Sequence, residues 1–449
     1  MQTIHLTQVL PFAAVRHSLL LAGVLCGLLG APGSRASGPE IFERPLVGSR
    51  GEPGFQDGFG SEARFSNPSA VVADKNGNLY VADSLNNAIR KVSPAGQVTT
   101  LAGQAVDLDG DGITDGGSDD GLGLAARFYY PAGVAVDDAG TVFVSDAWNH
   151  TIRSISPAGL VTTLAGQAGN YGHRDGPAAE ALFDDPCGIV VDQDGNLYVV
   201  ERGSHIIRRI SHDGSVSTLA GLPGQRGTAD GQGVNARFDR PSGLALDAAG
   251  NLWVTDTGNH TIRRVSREGW VTTVAGRPGV YGHLDGEASS ALFFEPRGVV
   301  VEPQGNVVIA DTYNNAIRKL TLDGQVETLQ SAPPSSSGDA GQTPEQLLGP
   351  SGLALGENGI LLVADAGNHL IQSAVEVTPV SLRVSLESGI PVLQIEGGLG
   401  RSCTIETCSD ATPGAPWQTL LRVNLASDSV SISDATAAGV PFRLYRVRP

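Results

Sequence analysis

Between residues 40 and 375 the apolar positions fall in short alternating runs, each closed by turn-forming residues. One stretch carries four of them, "GVAVD", "TVFVSD", "TIRSIS" and "VTTLAG", separated by turn chemistry such as "DDAG" and "SPAG". Alternation with a period of two between turn clusters is the signature of half-buried strands. The four-run unit recurs, with copies beginning at Phe65, Phe128, Phe183, Phe238, Phe293 and Leu347.

The register of the copies is nearly invariant. A linker Asp opens each at 57, 120, 175, 230, 285 and 339, giving steps of 63, 55, 55, 55 and 54 residues. Eleven residues after each Asp stands a Pro, and fifteen residues after the Pro an acid: Asp83, Asp146, Glu201, Asp256, Asp311 and Asp365. A four-stranded unit exposes an apolar face unless it stacks on a neighbour, and a closed ring removes the exposed ends. The pattern predicts an all-β, six-bladed β-propeller. The sixth copy lacks a "VTTLAG" run, and Gly48 precedes Asp57 by nine residues, as the "LAG" glycines 166, 221 and 276 precede theirs. Residues 41–48 are therefore expected to complete the last blade and close the ring.

The quoted elements "P-x-G-[VIL]-x-[VL]", "GNLYVAD" and "GNHTIRR" resemble the NHL repeat family over roughly residues 40–375. Some related propellers are lyases that hold a metal through channel histidines. The innermost runs here, from "PSAVVAD" to "PSGLALG", contain no His. Beyond Val377 the repeat stops, and residues 377–449 read as a small β-sandwich-like domain. Its ending, "FRLYRVRP", resembles C-terminal β-domains of secreted bacterial proteins.

At the other end, Arg16 and His17 precede the apolar run "SLLLAGVLCGLLG", and "APGSRASG" supplies small residues for cleavage after Ala36. Residues 1–36 are thus expected to be a signal peptide, residues 37–376 the propeller, and the product secreted or periplasmic. The chain carries 30 Lys and Arg against 47 Asp and Glu, a formal charge of −17, which disfavours nucleic acid as a partner. The expected partners are a protein, peptide or glycan, with no membrane insertion after cleavage and a monomeric chain. Cys187, Cys403 and Cys408 make no disulfide framework, and 403 and 408 would lie too far apart on one strand to bridge.

The linker and the loop between second and third strands should share one face of the ring, where propellers bind. Histidines 150, 205, 260 and 369 alternate with Asn87 and Asn315 in one repeat slot, which suits a loop-bracing role. An Arg stands seven residues after five of the acids, at 90, 153, 208, 263 and 318, placed to form cross-strand pairs of roughly 0.2–1 kcal/mol. Gln372 takes the sixth place, so Asp365 is expected to be a carboxylate without that partner, open to a functional role. Departures from the repeat are where a scaffold encodes specificity. Trp148 and Tyr313 are such departures in the loops. Arg297 is a long cation where the other copies carry Ser, Ala or Cys; it either contacts an anionic group or packs its stem with the head in water. Tyr171 with His173, and Tyr281 with His283, repeat the motif "YGH" two blades apart and either flank a ligand or fill a blade junction. Cys187 reads as a small residue in a small slot.

The first inter-copy step is eight residues longer than the next, and the excess lies within "DLDGDGITDGGSDDG". Asp107, Asp109, Asp111, the Ile113 carbonyl and Asp115 match loop positions that wrap calcium, with Asp119 or Asp120 standing in for the closing bidentate acid. A structural calcium is one expectation and a solvated acidic loop the other. Together these features predict an extracytoplasmic, non-catalytic binding scaffold, with a metal-dependent propeller lyase or hydrolase as the alternative.

Overall fold

A computed structural model describes residues 3–5, 40–106, 114–331, 346–356, 359–377, 381–387, 390–396, 402–408, 418–424, 429–434 and 444–448. The chain divides into two units, Ile41–Val375 and the remainder. The first is the six-bladed propeller. Each blade is a meander; in blade 2, Pro131–Val136, Val142–Asp146, Thr151–Ile155 and Leu160–Gly166 pair in order from the channel outward. Blades 1 to 5 each carry a fifth, two-residue edge strand that the alternation does not reveal, such as Gly121–Leu122 pairing with Leu160 and Val161. Blade 6 is completed from the chain's other end: Glu40–Val47 lies beside Leu370–Val377.

The core is distributed between blades rather than within them. One apolar cluster joins Tyr80, Ala82, Ile89 and Ala102 of blade 1 to Phe128, Val142, Val144 and Val161 of blade 2. The closing cluster joins Val47, Leu362, Ala364 and Ile371 of blade 6 to Phe65, Val71 and Val81 of blade 1, so the ring is sealed by the same apolar contact that stacks every other pair. At the channel the innermost strands come too close for a side chain. A Cβ on Gly243 would stand 1.9 Å from the Arg297 carbonyl oxygen, and one on Gly298 would stand 2.1 Å from that of Ser351. That close approach is why the repeat keeps Gly two residues after its Pro.

The second unit contains two sheets. In one, Thr3–His5 runs parallel to Ser429–Ser433, followed by Ile390–Glu396 and Ser381–Glu387; in the other, Ser402–Cys408 lies between Gln418–Asn424 and Leu444–Arg448. Cys403 and Cys408 sit on one strand, as their spacing requires. Among the described residues no helix is long and apolar enough to cross a membrane.

Candidate functional site at the channel mouth

The acid and Arg of each repeat do not face each other in register. Asp146 pairs with Thr151 and Arg153 with Val144, so their side chains meet diagonally on one sheet face. The contact is nevertheless short: Arg153 Nη1 donates to Asp146 Oδ2 at 2.8 Å, and both side chains are fully buried. The same Nη1 donates to the Arg127 carbonyl, while Nη2 donates to the Asp119 carbonyl and to Asp120 Oδ1 at 2.7 Å. A one-residue bulge opposite Ile152 and Arg153 frees the Thr163 amide, which donates to Asp120 Oδ2. The guanidinium carbon lies 5.1 Å from the centroid of Phe128, the residue that opens the copy. Blades 1, 3, 4 and 5 repeat this arrangement around Arg90, Arg208, Arg263 and Arg318. In all five, the Arg Nε–H is the one donor left without an acceptor. Burial raises the slot acids, to about 6 for Asp83, Asp146 and Asp256 and to about 7 for Glu201, against the pull of their arginines. These are interior ion pairs, so the cross-strand value expected from sequence understates what removing one partner costs.

Blade 6 departs from the expected free carboxylate. Asp365 is fully buried, and its Oδ2 accepts from Asn368 Nδ2 at 2.7 Å and from Gln372 Nε2, while Oδ1 accepts the Leu348 amide at 2.8 Å. The cation missing from position 372 comes from the closing segment, as Arg50 Nη1 approaches Asp365 Oδ2 at 3.8 Å. Asp365 therefore supports the blade from inside and is not presented to a ligand.

The His and Asn slot links neighbouring blades. Each of these residues is in the left-handed region, with φ from 49° at Asn315 to 61° at His205, and all but His205 stand at the end of a one-turn 3₁₀ helix. Each then accepts the backbone N–H of the residue before the next blade's Pro. His369 Nδ1 accepts from Asn67 at 3.1 Å, Asn87 Oδ1 from Tyr130 at 2.8 Å and His150 Nδ1 from Asp185 at 3.2 Å. His205 and His260 accept from Arg240 and Glu295 at 3.0 and 3.2 Å, and Asn315 Oδ1 accepts from Gly349 at 2.7 Å. The six contacts run once around the ring, and with Nδ1 accepting, these histidines are neutral Nε2–H tautomers.

The six acceptor-held residues share one uncommon conformation. Asn67, Tyr130, Asp185, Arg240, Glu295 and Gly349 have φ between 46° and 59°, although a residue before Pro ordinarily prefers extended backbone. They therefore form a ring of positions with one backbone geometry and six different residues, five with side chains and one glycine. Asn67, Tyr130 and Gly349 line a cavity of about 460 Å³ at the channel mouth, together with Cys187, Arg202, Arg297 and Tyr313. Asp185, Arg240 and Glu295 line an adjoining cavity of about 250 Å³.

The mouth has an aromatic side and a charged side. Trp148, 45% exposed, stacks on Tyr130 at 4.7 Å and meets Tyr129 edge-on at 4.9 Å. Tyr313 lies 5.1 Å from Phe294, which stacks on Tyr281 at 4.9 Å. Arg297 lies over the Tyr313 ring at 5.7 Å, with Glu295 3.8 Å away. Burial raises the Tyr130 hydroxyl, and the nearby Arg202 and Arg297 pull it down, which places all three groups within electrostatic reach. Cys187 is buried, and burial pushes its thiol up to about 12, so it remains a protonated thiol in its small slot. Tyr171 and Tyr281 belong to separate clusters: Tyr171 packs near His150 and Tyr281 near His260, each at 5.8 Å. His173 is exposed, and His283 hydrogen-bonds Thr328 at 3.0 Å. Tyr129, Tyr130, Arg202, Arg240 and Phe294 were missed by sequence reasoning. The signal for Tyr130 and Arg240 was present, as the column before the Pro reads Asn, Tyr, Asp, Arg, Glu, Gly.

Of the expected calcium ligands, Asp107, Asp109, Asp111 and Ile113 lie outside the described residues. Asp115 donates its amide to Val106, and Asp119 gives its carbonyl to Arg153. Asp120 spends its carboxylate on Arg153 and Thr163, so it is committed to the blade.

The NHL repeat model matches residues 65–92, 128–153, 238–265, 293–320 and 347–372. The unmatched third copy is the one in which Glu201 and Ser204 replace the usual Asp and Asn. The chain is 26% identical to bovine NHL repeat-containing protein 2 over 87% of its own length and 62% of the relative's, so it spans less than two thirds of that protein. Among solved structures, a protein of unknown function from Bacteroides thetaiotaomicron matches at a TM-score of 0.56 and 19% identity, over 75% of this chain and 76% of that one. An auxiliary nutrient binding protein from Bacteroides ovatus matches at 0.54 and 16%, over 75% and 77% respectively. At such identities these two likenesses speak to fold alone, and the sequence matches together with the six-bladed ring place the chain in the NHL repeat family of β-propellers.

Proposed function

We propose that the protein is an exported, non-catalytic binding scaffold that takes a protein, peptide or glycan ligand at the channel mouth. The observation that carries this is the ring of six residues before the repeat prolines, alike in backbone geometry and different in every blade. A scaffold that fixes direction and varies chemistry is built for recognition. Trp148, Tyr130, Tyr313 and Arg297 supply flat aromatic area and a cation beside the cavity, a combination suited to sugar rings or aromatic and acidic side chains. The Bacteroides ovatus nutrient binding protein adds support, since a protein so described uses the same fold.

A metal-dependent lyase or hydrolase would require ligands gathered at the channel. Among the described residues no group of three or more His, Cys, Asp or Glu is placed to hold a metal, and the repeat histidines spend Nδ1 on backbone amides. The test is a glycan and peptide array probed with the mature protein, then with Tyr130→Ala and Arg297→Ala. Binding that both substitutions weaken supports the mouth as the site; no binding, or binding that neither affects, overturns it. Export is tested by the N-terminus of the cell-derived protein, expected at Ser37.

A further inference from the structure

The cavity of about 250 Å³ adjoins the channel mouth and shares Arg202, Ser242 and Arg297 with it. Its lining holds four arginines, at 202, 226, 240 and 297, but only two carboxylates, Asp185 and Glu295. In a chain with a formal charge of −17, a cavity with a local excess of cations runs against the overall balance.

Three of those guanidinium groups are also under-used. The blade arginines each spend four of their five donors, and Arg202 spends Nε and Nη2 on Asp185 at 2.6 and 3.1 Å. By contrast, Arg240 stands 3.7 Å from Asp239 and 3.6 Å from Glu295, and Arg297 stands 3.8 Å from Glu295. Those separations orient a side chain electrostatically but exceed hydrogen-bond length, so the N–H groups remain available.

Arg226, with its side chain 63% exposed, likewise keeps donors that no protein acceptor takes. Its Nε–H points at His205 Nε2 from 3.2 Å, while the Arg240 amide donates to Nδ1 of the same ring at 3.0 Å. A neutral imidazole has one lone pair and can accept from only one of them. The Arg240 amide is the donor common to every blade and takes it, which leaves Arg226 facing another N–H with Asp239 3.5 Å away. Arg240 is itself one of the six ring positions, so its Cα direction is set by His205.

We propose that this cavity is an oxyanion subsite, in which Arg226, Arg240 and Arg297 hold the carboxylate or phosphate of a small ligand whose body lies against Tyr130 and Tyr313. The proposal rests on the channel mouth being the binding face and adds the charge its ligand carries. A planar carboxylate fits the forked donors of one guanidinium, and a phosphate can bridge two.

The experiment is calorimetric titration of the mature protein with galacturonate, glucose 6-phosphate, inorganic phosphate and, as the neutral control, glucose. It is repeated on Arg240→Gln/Arg297→Gln and on Arg264→Gln, an exposed arginine elsewhere on blade 4. The expected result is binding of at least one anionic probe, none of glucose, a loss of about tenfold or more in the double variant and none in Arg264→Gln. Galacturonate alone would assign a carboxylate, and the phosphates alone a phosphoryl group; either supports the subsite. No binding of any anion, or equal binding by wild type and the double variant at unchanged melting temperature, overturns it. An array ligand that binds both proteins equally and is lost on Tyr130→Ala would overturn the oxyanion subsite while leaving the binding face standing.

Discussion

The inter-blade histidines make the ring's stability depend on pH in a way that asparagine removes. Burial holds His205, His260 and His369 below the ordinary histidine value, and each must stay neutral for Nδ1 to accept an amide from the next blade. A base with a depressed folded value contributes its full stability above the unfolded value of about 6.5 and loses it as pH falls through the folded one, because the unfolded chain takes up protons first. Each hydrogen bond is worth about 1 kcal/mol, so three of them put about 3 kcal/mol at stake. Asn87 and Asn315 already perform the same task at φ of 50° and 49°, and asparagine tolerates that conformation well. The triple variant His205→Asn/His260→Asn/His369→Asn should therefore fold like wild type at pH 7.5. Urea unfolding at pH 7.5 and 5.0 is the assay. Wild type should lose about 3 kcal/mol more between the two pH values than the variant does, and carboxylate titration, common to both, cancels in the difference. Equal pH dependence in the two proteins would show that these histidines do not couple the ring's stability to pH.

Arg153→Met strands the fully buried Asp146 without its cation and should cost about 3–5 kcal/mol in chemical denaturation, whereas Arg202→Met, which breaks a part-exposed pair with Asp185, should cost about 1 kcal/mol or less. Gly298→Ala forces a Cβ to within 2.1 Å of the Ser351 carbonyl oxygen and should cost about 2–3 kcal/mol, while Ala70→Gly, the blade that naturally lacks this glycine, should differ from wild type by less than about 1 kcal/mol. Calcium titrated into the protein decides between the two readings of the acidic insertion: one binding event that Asp109→Asn/Asp111→Asn abolishes would assign a structural calcium, and absence of both heat and thermal shift in wild type would leave a solvated acidic loop.

The ring was legible in the sequence because its determinants repeat. The Asp, Pro, acid and Arg columns recur at fixed spacing because each blade uses them in the same buried pairs, and the short sixth copy pointed to closure by residues 41–48. Asp365 was misread because its supporting groups do not follow the repeat: Gln372 replaces the Arg, and Arg50 arrives from 315 positions away in sequence. The ring of mouth residues was hidden for a different reason. A residue before Pro is expected to be extended, and here its N–H donates to the preceding blade's His or Asn, a contact that helps hold it left-handed. That contact is tertiary, so local sequence signals did not reveal it. Tyr130 therefore went unremarked beside Trp148, although the two rings stack.

The claim that the channel mouth is the recognition site is tested most directly by equilibrium binding of an array-selected ligand to wild type and to Tyr130→Ala/Tyr313→Ala. Both side chains line the cavity of about 460 Å³, and Tyr313 is 54% exposed. The expected result is an affinity loss of about tenfold or more, equivalent to about 1.4 kcal/mol, with an unchanged melting temperature. Unchanged affinity in the double variant would contradict it.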